Sequence, residues 1–589
     1  MSYLSPRHRY RVRPGRATAV AAATALAATA AVLTGGSAQA APTSSTTLVV
    51  NAAQTLRPVT HVGTGSLYGL ASDNTPSDSL TNALKPNTFV QMAPGGSQLP
   101  NGEPAPAGDA LVVAPKAARA GAKVVARMPD WYPDFPYKWV SMSDWLSAVD
   151  QQIAAVKASG VTNISAWAIW NEPDLNWDTA KAGPFDTAWS TTYKEIRSKD
   201  TTTAIQGPSF GSYTHAKMQT FLQDAIANNA VPDVIAWHEL QTSANIASHI
   251  SDYRALESSL GLSPRPIDIE EYGTPAQMGN SGALIGYAAK FERAGVRDAE
   301  LAFWNHYGTL GDTLTDTGGS PNGSYYTYKW YGDMSGNMLV TTPPAQTGID
   351  GLASLNSAGN QISVIAGGCT GSCAVTVNGL SSLSAFGSTV HVKLEYSPDT
   401  GRTNASPGPI TISDADYTVS GGSITVPVAM NAADGYHLVI TPSGTNTSLA
   451  GRYQITNKNS GLALDTVNAG TAQGTSVVQA TSTSGTDQNW TLVSAGSGLY
   501  KIVNQKSGLL LGITNASTAD GGTALIWGDN GTADHLWQAI PARDGYYKIA
   551  NYNSGRLLGV DQMSTSSGAQ VLQWSDNGTA DHLWKLTSR

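Results

Sequence analysis

The last quarter of the chain repeats itself every 47 residues, and no other feature narrows the possible folds as much. Tyr453, Tyr500 and Tyr547 share that spacing, as do Asn457, Asn504 and Asn551, then Gly461, Gly508 and Gly555, then Trp490, Trp537 and Trp584. Two copies even share Asp-Asn-Gly-Thr-Ala-Asp-His-Leu-Trp, at 529–537 and 576–584. Each copy reads as short alternating strands, such as Tyr547-Lys548-Ile549-Ala550-Asn551, between Asn, Ser and Gly turns. One such unit cannot bury its apolar face alone, so three must close on a common core. The expectation for 451–589 is a pseudo-threefold β-trefoil, with the terminal tryptophans of the copies inside it.

The remaining residues of this 589-residue chain exceed what one hydrophobic core supports. At the N-terminus, Arg7, Arg9, Arg11, Arg13 and Arg16 precede the apolar run Ala17 to Leu33 and the small-x-small site Ala38-Gln39-Ala40. That order reads as an export signal over 1–40, with the mature chain starting at Ala41 and secreted to the extracellular space. Its removal leaves 30 basic against 43 acidic residues, a net charge of −13. Nothing then attracts a polyanion, so nucleic acid is not an expected partner, and no later run is long enough to place the mature chain in a membrane. Cys369 and Cys373 are the only cysteines, and in an oxidising compartment they are expected to close a local disulfide. No metal-ligand spacing or phosphate-binding loop is visible, so neither metal nor cofactor is expected. A monomer is expected.

Between leader and trefoil, residues 41–345 alternate short apolar runs with amphipathic stretches, the pattern of β/α units. Strand starts near Thr60, Thr88, Lys123, Ile164, Ala204, Asp233, Pro266 and Ala299 lie 28–41 residues apart, which predicts a (β/α)8 TIM barrel. Residues 346–441 alternate as strands and predict a small β-sandwich, and 442–450 reads as a polar linker that leaves the trefoil free to move.

The active site of such a barrel lies at the C-terminal ends of its strands. The fourth run, Ile164 to Trp170, ends in Asn171-Glu172-Pro173, and the seventh, Ile267-Asp268-Ile269, ends in Glu270-Glu271-Tyr272-Gly273. Strict alternation groups Ile267, Ile269 and Glu271 on one face and Asp268 with Glu270 on the other, and from this Glu271 is expected to point inward. Two facing carboxyl groups suit glycosidic cleavage: one protonates the leaving oxygen while the other attacks or stabilises the anomeric carbon. Trp-Asn-Glu-Pro arises by chance in about one chain of this length per thousand.

Trp170-Asn171-Glu172-Pro173 followed by Glu271-Tyr272-Gly273 resembles the clan A retaining glycoside hydrolases, and residues 45–441 look most like family 39. The resemblance implies Glu172 as acid/base and Glu271 as nucleophile. It also implies substrate contacts from Asn171, from His238 after the sixth strand and from Trp304 after the eighth. Arg127, after Val124-Val125-Ala126, is a candidate partner of the nucleophile, and Trp131 a candidate sugar platform. Leu240 stands where the xylosidase pattern has an aromatic residue, which tilts the expected substrate toward arabinogalactan side chains; a β-xylosidase acting on xylan fragments is the alternative.

The trefoil, with Ser-Gly at 460–461, 507–508 and 554–555 and Gln-x-x-Trp-like repeat ends, resembles ricin-B-type lectin domains, also classed as family 13 carbohydrate-binding modules. That resemblance implies sugar sites at Trp527, Asn530 and His535 and at Trp574, Asn577 and His582. The first copy has Ala480 in place of the tryptophan but keeps Asp465. The combined reading is a polysaccharide-targeted retaining hydrolase; a lectin carrying a catalytically dead barrel is the rival.

Overall fold

The computed structural model describes residues 44–444 and 448–589. The expected leader at 1–40 lies outside them. Chain order begins with β1 (Thr47–Pro58), followed by the barrel strands β2 (Gly65–Leu67), β3 (Thr88–Met92), β4 (Lys123–Arg127) and β5 (Ile164–Ala168). The barrel continues with β6 (Ala204–Phe210), β7 (Val234–Glu239), β8 (Ile267–Tyr272) and β9 (Asp298–Leu301). Strands β2 to β9 close in sequence order, each parallel to its neighbours. Seven starts fall within one residue of expectation; the first lies at Gly65 rather than Thr60.

Alternation along these strands separates two layers. Phe89, Val124, Trp167, Ile205, Ile235, Ile267 and Ile269 pack outward against the helices. Leu67, Val90, Met92, Val125, Ala166 and Ala168 fill the barrel itself. Helix ends are set by local chemistry. Ser141 accepts from the Asp144 amide to open helix Met142–Ser159, and Gly160, at φ 74°, closes it in the left-handed region that glycine adopts without cost.

The β-rich region after the barrel departs from its expected bounds. Its strands are β10 (Asn337–Thr342), β11 (Asp350–Leu355), β12 (Ile362–Gly367), β13 (Gly371–Asn378), β14 (Thr389–Ser397), β15 (Ile410–Thr418), β16 (Ile424–Met430) and β17 (Gly435–Thr441). They form one nine-stranded sheet with β1, in the order β15-β14-β17-β12-β11-β10-β1-β13-β16. Residues 47–58 and 337–342, expected in the barrel, therefore belong to this sheet. The cause is tertiary: β1 lies antiparallel to β10 and parallel to β13, burying Leu48, Val50 and Ala52 in the sheet's own core. Leu352 and Ile365 join the barrel's helical layer, and Lys290 and Arg293 of helix Ser281–Ala294 both pair with Asp350 at 2.8 Å. Cys369 and Cys373 form a disulfide at the start of β13.

In the trefoil the three repeats superpose in chemistry as well as spacing. The indole nitrogens of Trp490, Trp537 and Trp584 donate to the carbonyls of Leu464, Leu511 and Leu558 at 2.8–3.0 Å, and all three rings are buried. Asn457, Asn504 and Asn551 each donate to a carbonyl of a neighbouring copy, at 2.6–2.7 Å. The trefoil is not free to move. Its Ile540, Ala550 and Leu557 belong to the core of the nine-stranded sheet, Tyr417 donates to the Ser497 carbonyl at 2.9 Å, and Gln538 Oε1 accepts from the Ala429 amide. Apolar docking overrides the polar connection at 442–450, of which residues 445–447 lie outside the described residues.

Candidate functional site

The mouth of the barrel holds a pocket of about 130 Å³ at the C-terminal strand ends. Arg127, Asn171, Glu172, Glu271 and Trp304 line it, as sequence reasoning anticipated, and His238 lies just beneath. Glu172 follows β5 and opens the short helix Pro173–Asn176 in the left-handed region, at φ 49°. That conformation costs a non-glycine residue about 1–2 kcal/mol. Its amide donates to the Ser209 carbonyl at 2.8 Å, which fixes the turn and sends the carboxylate over the mouth.

Glu271 reaches the same mouth for a reason opposite to the expected one. Ile267 and Ile269 face the helices, and Asp268 and Glu270 face the barrel interior, where Gln206 donates to Glu270 Oε1 at 2.7 Å. Alternation alone would carry Glu271 outward. Instead β8 bulges: Ala236 pairs with Asp268 but His238 with Glu271, and Ile269 pairs with Ala299 but Tyr272 with Leu301. One extra residue in β8 turns both Glu270 and Glu271 inward and restores Tyr272 to the outer layer against Tyr287 and Phe291.

Charge in the site is arranged around one buried imidazole. His238 Nδ1 lies 3.3 Å from Glu172 Oε1, while its Nε2 lies 3.7 Å from Glu270 Oε2 and 3.8 Å from Glu271 Oε1. Burial pushes the His238 pKa down, but the charge of Glu271 and the hydrogen bonds to Glu172 and Glu270 overcome it and raise the value to about 10. Burial likewise pushes Glu172 up; the hydrogen bond and charge of His238, with Arg127 beyond, outweigh it and hold the carboxyl below its ordinary range. Arg127 Nη1 donates to Glu271 Oε1 at 2.8 Å, and its guanidinium lies over the Tyr68 ring.

Several lining residues escaped sequence reading. Tyr68, whose hydroxyl donates to Asp130 Oδ2 at 2.5 Å, follows the strand whose start was misplaced. Gln98 and Asn101 come from the loop after β3. Phe135 takes the place expected for Trp131. The turn Met128–Trp131 folds that indole back over Gly95, and Ser97 Oγ donates to the Trp131 carbonyl at 2.6 Å, so Trp131 does not line the pocket. Leu240 lines it; Asn171 Oδ1 is buried without a hydrogen bond.

On the trefoil, Trp527 and Trp574 are 40% and 42% exposed, as a platform requires. Trp527, Asn530 and His535 line a depression of about 370 Å³, and Trp574, Asn577 and His582 one of about 260 Å³. The first copy differs: Asp465 accepts from Gln488 Nε2 at 2.9 Å and is buried. In the other copies glycine replaces that aspartate, because a Cβ at Gly512 or Gly559 would stand 2.3 Å from the His535 or His582 ring. Asp534 and Asp581, which the sequence reading omitted, line the two depressions.

Comparison with known proteins follows this division. Residues 436–527 and 533–589 match the family described as ricin-type β-trefoil lectin domain-like. A 3-O-α-D-galactosyl-α-L-arabinofuranosidase of Bifidobacterium longum subsp. longum is 28% identical over 454 residues, covering 64% of this chain and 39% of the relative. A 3-O-β-L-arabinopyranosyl-α-L-arabinofuranosidase of Bifidobacterium pseudocatenulatum is 28% identical over 453 residues, covering 64% of this chain and 46% of the relative. The chain thus spans less than half the length of either. A glucosidase structure from Croceicoccus marinus, at 11% identity and TM-score 0.51, covers 68% of this chain and 100% of its own, and shares the fold. The structure of N2152 from Neocallimastix frontalis matches at 36% identity and TM-score 0.64 over 68% of this chain and 100% of its own. The homologues of known activity are glycoside hydrolases, and by identity over its partner's full length this chain belongs to the same family as N2152.

Proposed function

We propose that the chain is a retaining glycoside hydrolase that removes arabinofuranose-bearing units from plant-type glycans, of the arabinogalactan kind, outside the cell. The observation that carries the reading is the buried His238, which touches both Glu172 and Glu271 in one pocket. The names of the two bifidobacterial relatives support the arabinofuranosyl choice.

In this reading Glu271, oriented by Arg127, attacks the anomeric carbon as the glycosidic bond breaks, and Glu172 delivers a proton to the leaving oxygen. Water then attacks the same carbon, its proton returns to Glu172, and the Glu271 ester bond breaks. The free site stores that proton on the His238–Glu172 pair. As Glu271 bonds to sugar its negative charge disappears, which loosens the imidazole's hold on the proton at the moment the leaving oxygen needs it. Asn171, Trp304 and Tyr68 position the sugar. The trefoil sites at Trp527 and Trp574 hold polymer, each weakly, so that retention depends on both together.

Glu172→Gln should accumulate a covalent glycosyl-enzyme with an activated aryl arabinofuranoside and be rescued by azide, whereas Glu271→Gln should form none. Equal, unrescued loss in both would sink the assignment. Product analysis over arabinogalactan, xylan and galactan tests the substrate, and an inverted product by NMR would exclude retention.

A further inference from the structure

Two large apolar side chains stand in contact with water near Glu172 at the barrel mouth. Leu175 is 69% exposed and Phe135 49%. Phe135 lines the pocket that holds Glu172. Leu175 stands beside the carboxylate itself: a single point above Gly211 lies 2.6 Å from Leu175 Cδ1 and 3.0 Å from Glu172 Oε1. The two come from the loops after β4 and β5, neighbouring strands on the Glu172 side; Glu271 lies near the end of β8, across the barrel.

Exposed apolar groups clustered at a site mark a surface meant to be covered. An acid that protonates the leaving oxygen stands on the side from which the leaving group departs, so the sugar bonded to that oxygen is the group brought against Leu175 and Phe135. We propose that Phe135 and Leu175 form an apolar lip that binds the leaving-group sugar, its C–H face packed on the Phe135 ring and the Leu175 methyls. The lip selects glycans in which the released unit is attached to a further sugar over small alkyl glycosides. This rests on the hydrolase reading above.

The test compares methyl α-L-arabinofuranoside with an arabinofuranosyl-substituted galacto-oligosaccharide, on the full chain and on Phe135→Ala, Leu175→Ala and the double variant. Both substrates need the same proton from Glu172, but only the oligosaccharide reaches the lip. The double variant should lose about 10–100-fold more in kcat/KM on the oligosaccharide than on the methyl glycoside, the range for removing two apolar contacts. Phe135→Ala alone, on a different loop from the Glu172 turn, should show part of the same selective loss. An equal fall on both substrates would mean that Glu172 had been disturbed and would overturn the lip, as would no change on either. If the parent cleaves neither substrate, the arabinofuranosidase reading itself fails and the lip falls with it.

Discussion

Replacing His238 with Gln tests the proton store directly. The imidazolium lies 3.3 Å from Glu172, and at an effective dielectric constant of about 20 such a pair is worth at most about 5 kcal/mol. Residual solvent at the mouth and the amide's own hydrogen bonding reduce that, so we expect a loss of about 10–100-fold at pH 7, or about 1.4–2.8 kcal/mol. The loss depends on pH in a defined sense. With His238 present, the site keeps its proton up to about pH 10. Without it only Glu172 can hold the proton, and a carboxyl, even one that burial pushes upward, ionises far below that. The basic limb of kcat/KM should therefore move down by several pH units, leaving the variant most nearly normal near pH 5. The assay is kcat/KM for the methyl arabinofuranoside from pH 4 to 10, with thermal melting to confirm the fold. An unchanged basic limb would refute the shared proton.

Other outcomes can be checked on the same protein. Burial raises Asp268 to about 7 beside Glu300, so between about pH 4 and 7 the folded state binds more protons than the unfolded chain and stability falls as pH rises; Asp268→Asn should flatten that fall, seen as a smaller Tm difference between pH 5 and 8. Gly512→Ala forces a methyl against the His535 ring, and should weaken polymer binding at that copy and cost about 1–3 kcal/mol by denaturant unfolding. Trp527→Ala with Trp574→Ala should abolish pull-down on insoluble polysaccharide while the domain stays folded, at a cost of about 1–2 kcal/mol for the covered faces of two rings that are 40% and 42% exposed. Deleting 451–589 should instead lower Tm, since it strips Ile540, Ala550 and Leu557 from the sheet's core.

Local patterns carried much of this protein into view. Alternation and spacing located barrel strands, because each strand's burial pattern is a property of three to seven consecutive residues. Repetition located the trefoil, since Trp490, Trp537 and Trp584 report one structural position three times. Glu172 stood out because Trp-Asn-Glu-Pro is a rare tetrapeptide, and Glu271 because it lies near the end of a second strand of the same barrel and supplies the facing carboxyl. What the tertiary structure decided are pairings between distant residues. The choice of β13 as a partner for β1, the docking of Ile540 on the sheet, and the single imidazole between Glu172 and Glu271 join residues from 33 to more than 300 positions apart, and no local window contains both members. The bulge in β8 is the sharpest case. The same six residues, Ile267 to Tyr272, read as a regular strand with Glu271 on the face of Ile269, and only the competing demands of Arg127, His238 and the aromatic layer around Tyr272 insert the extra residue that turns Glu271 into the barrel.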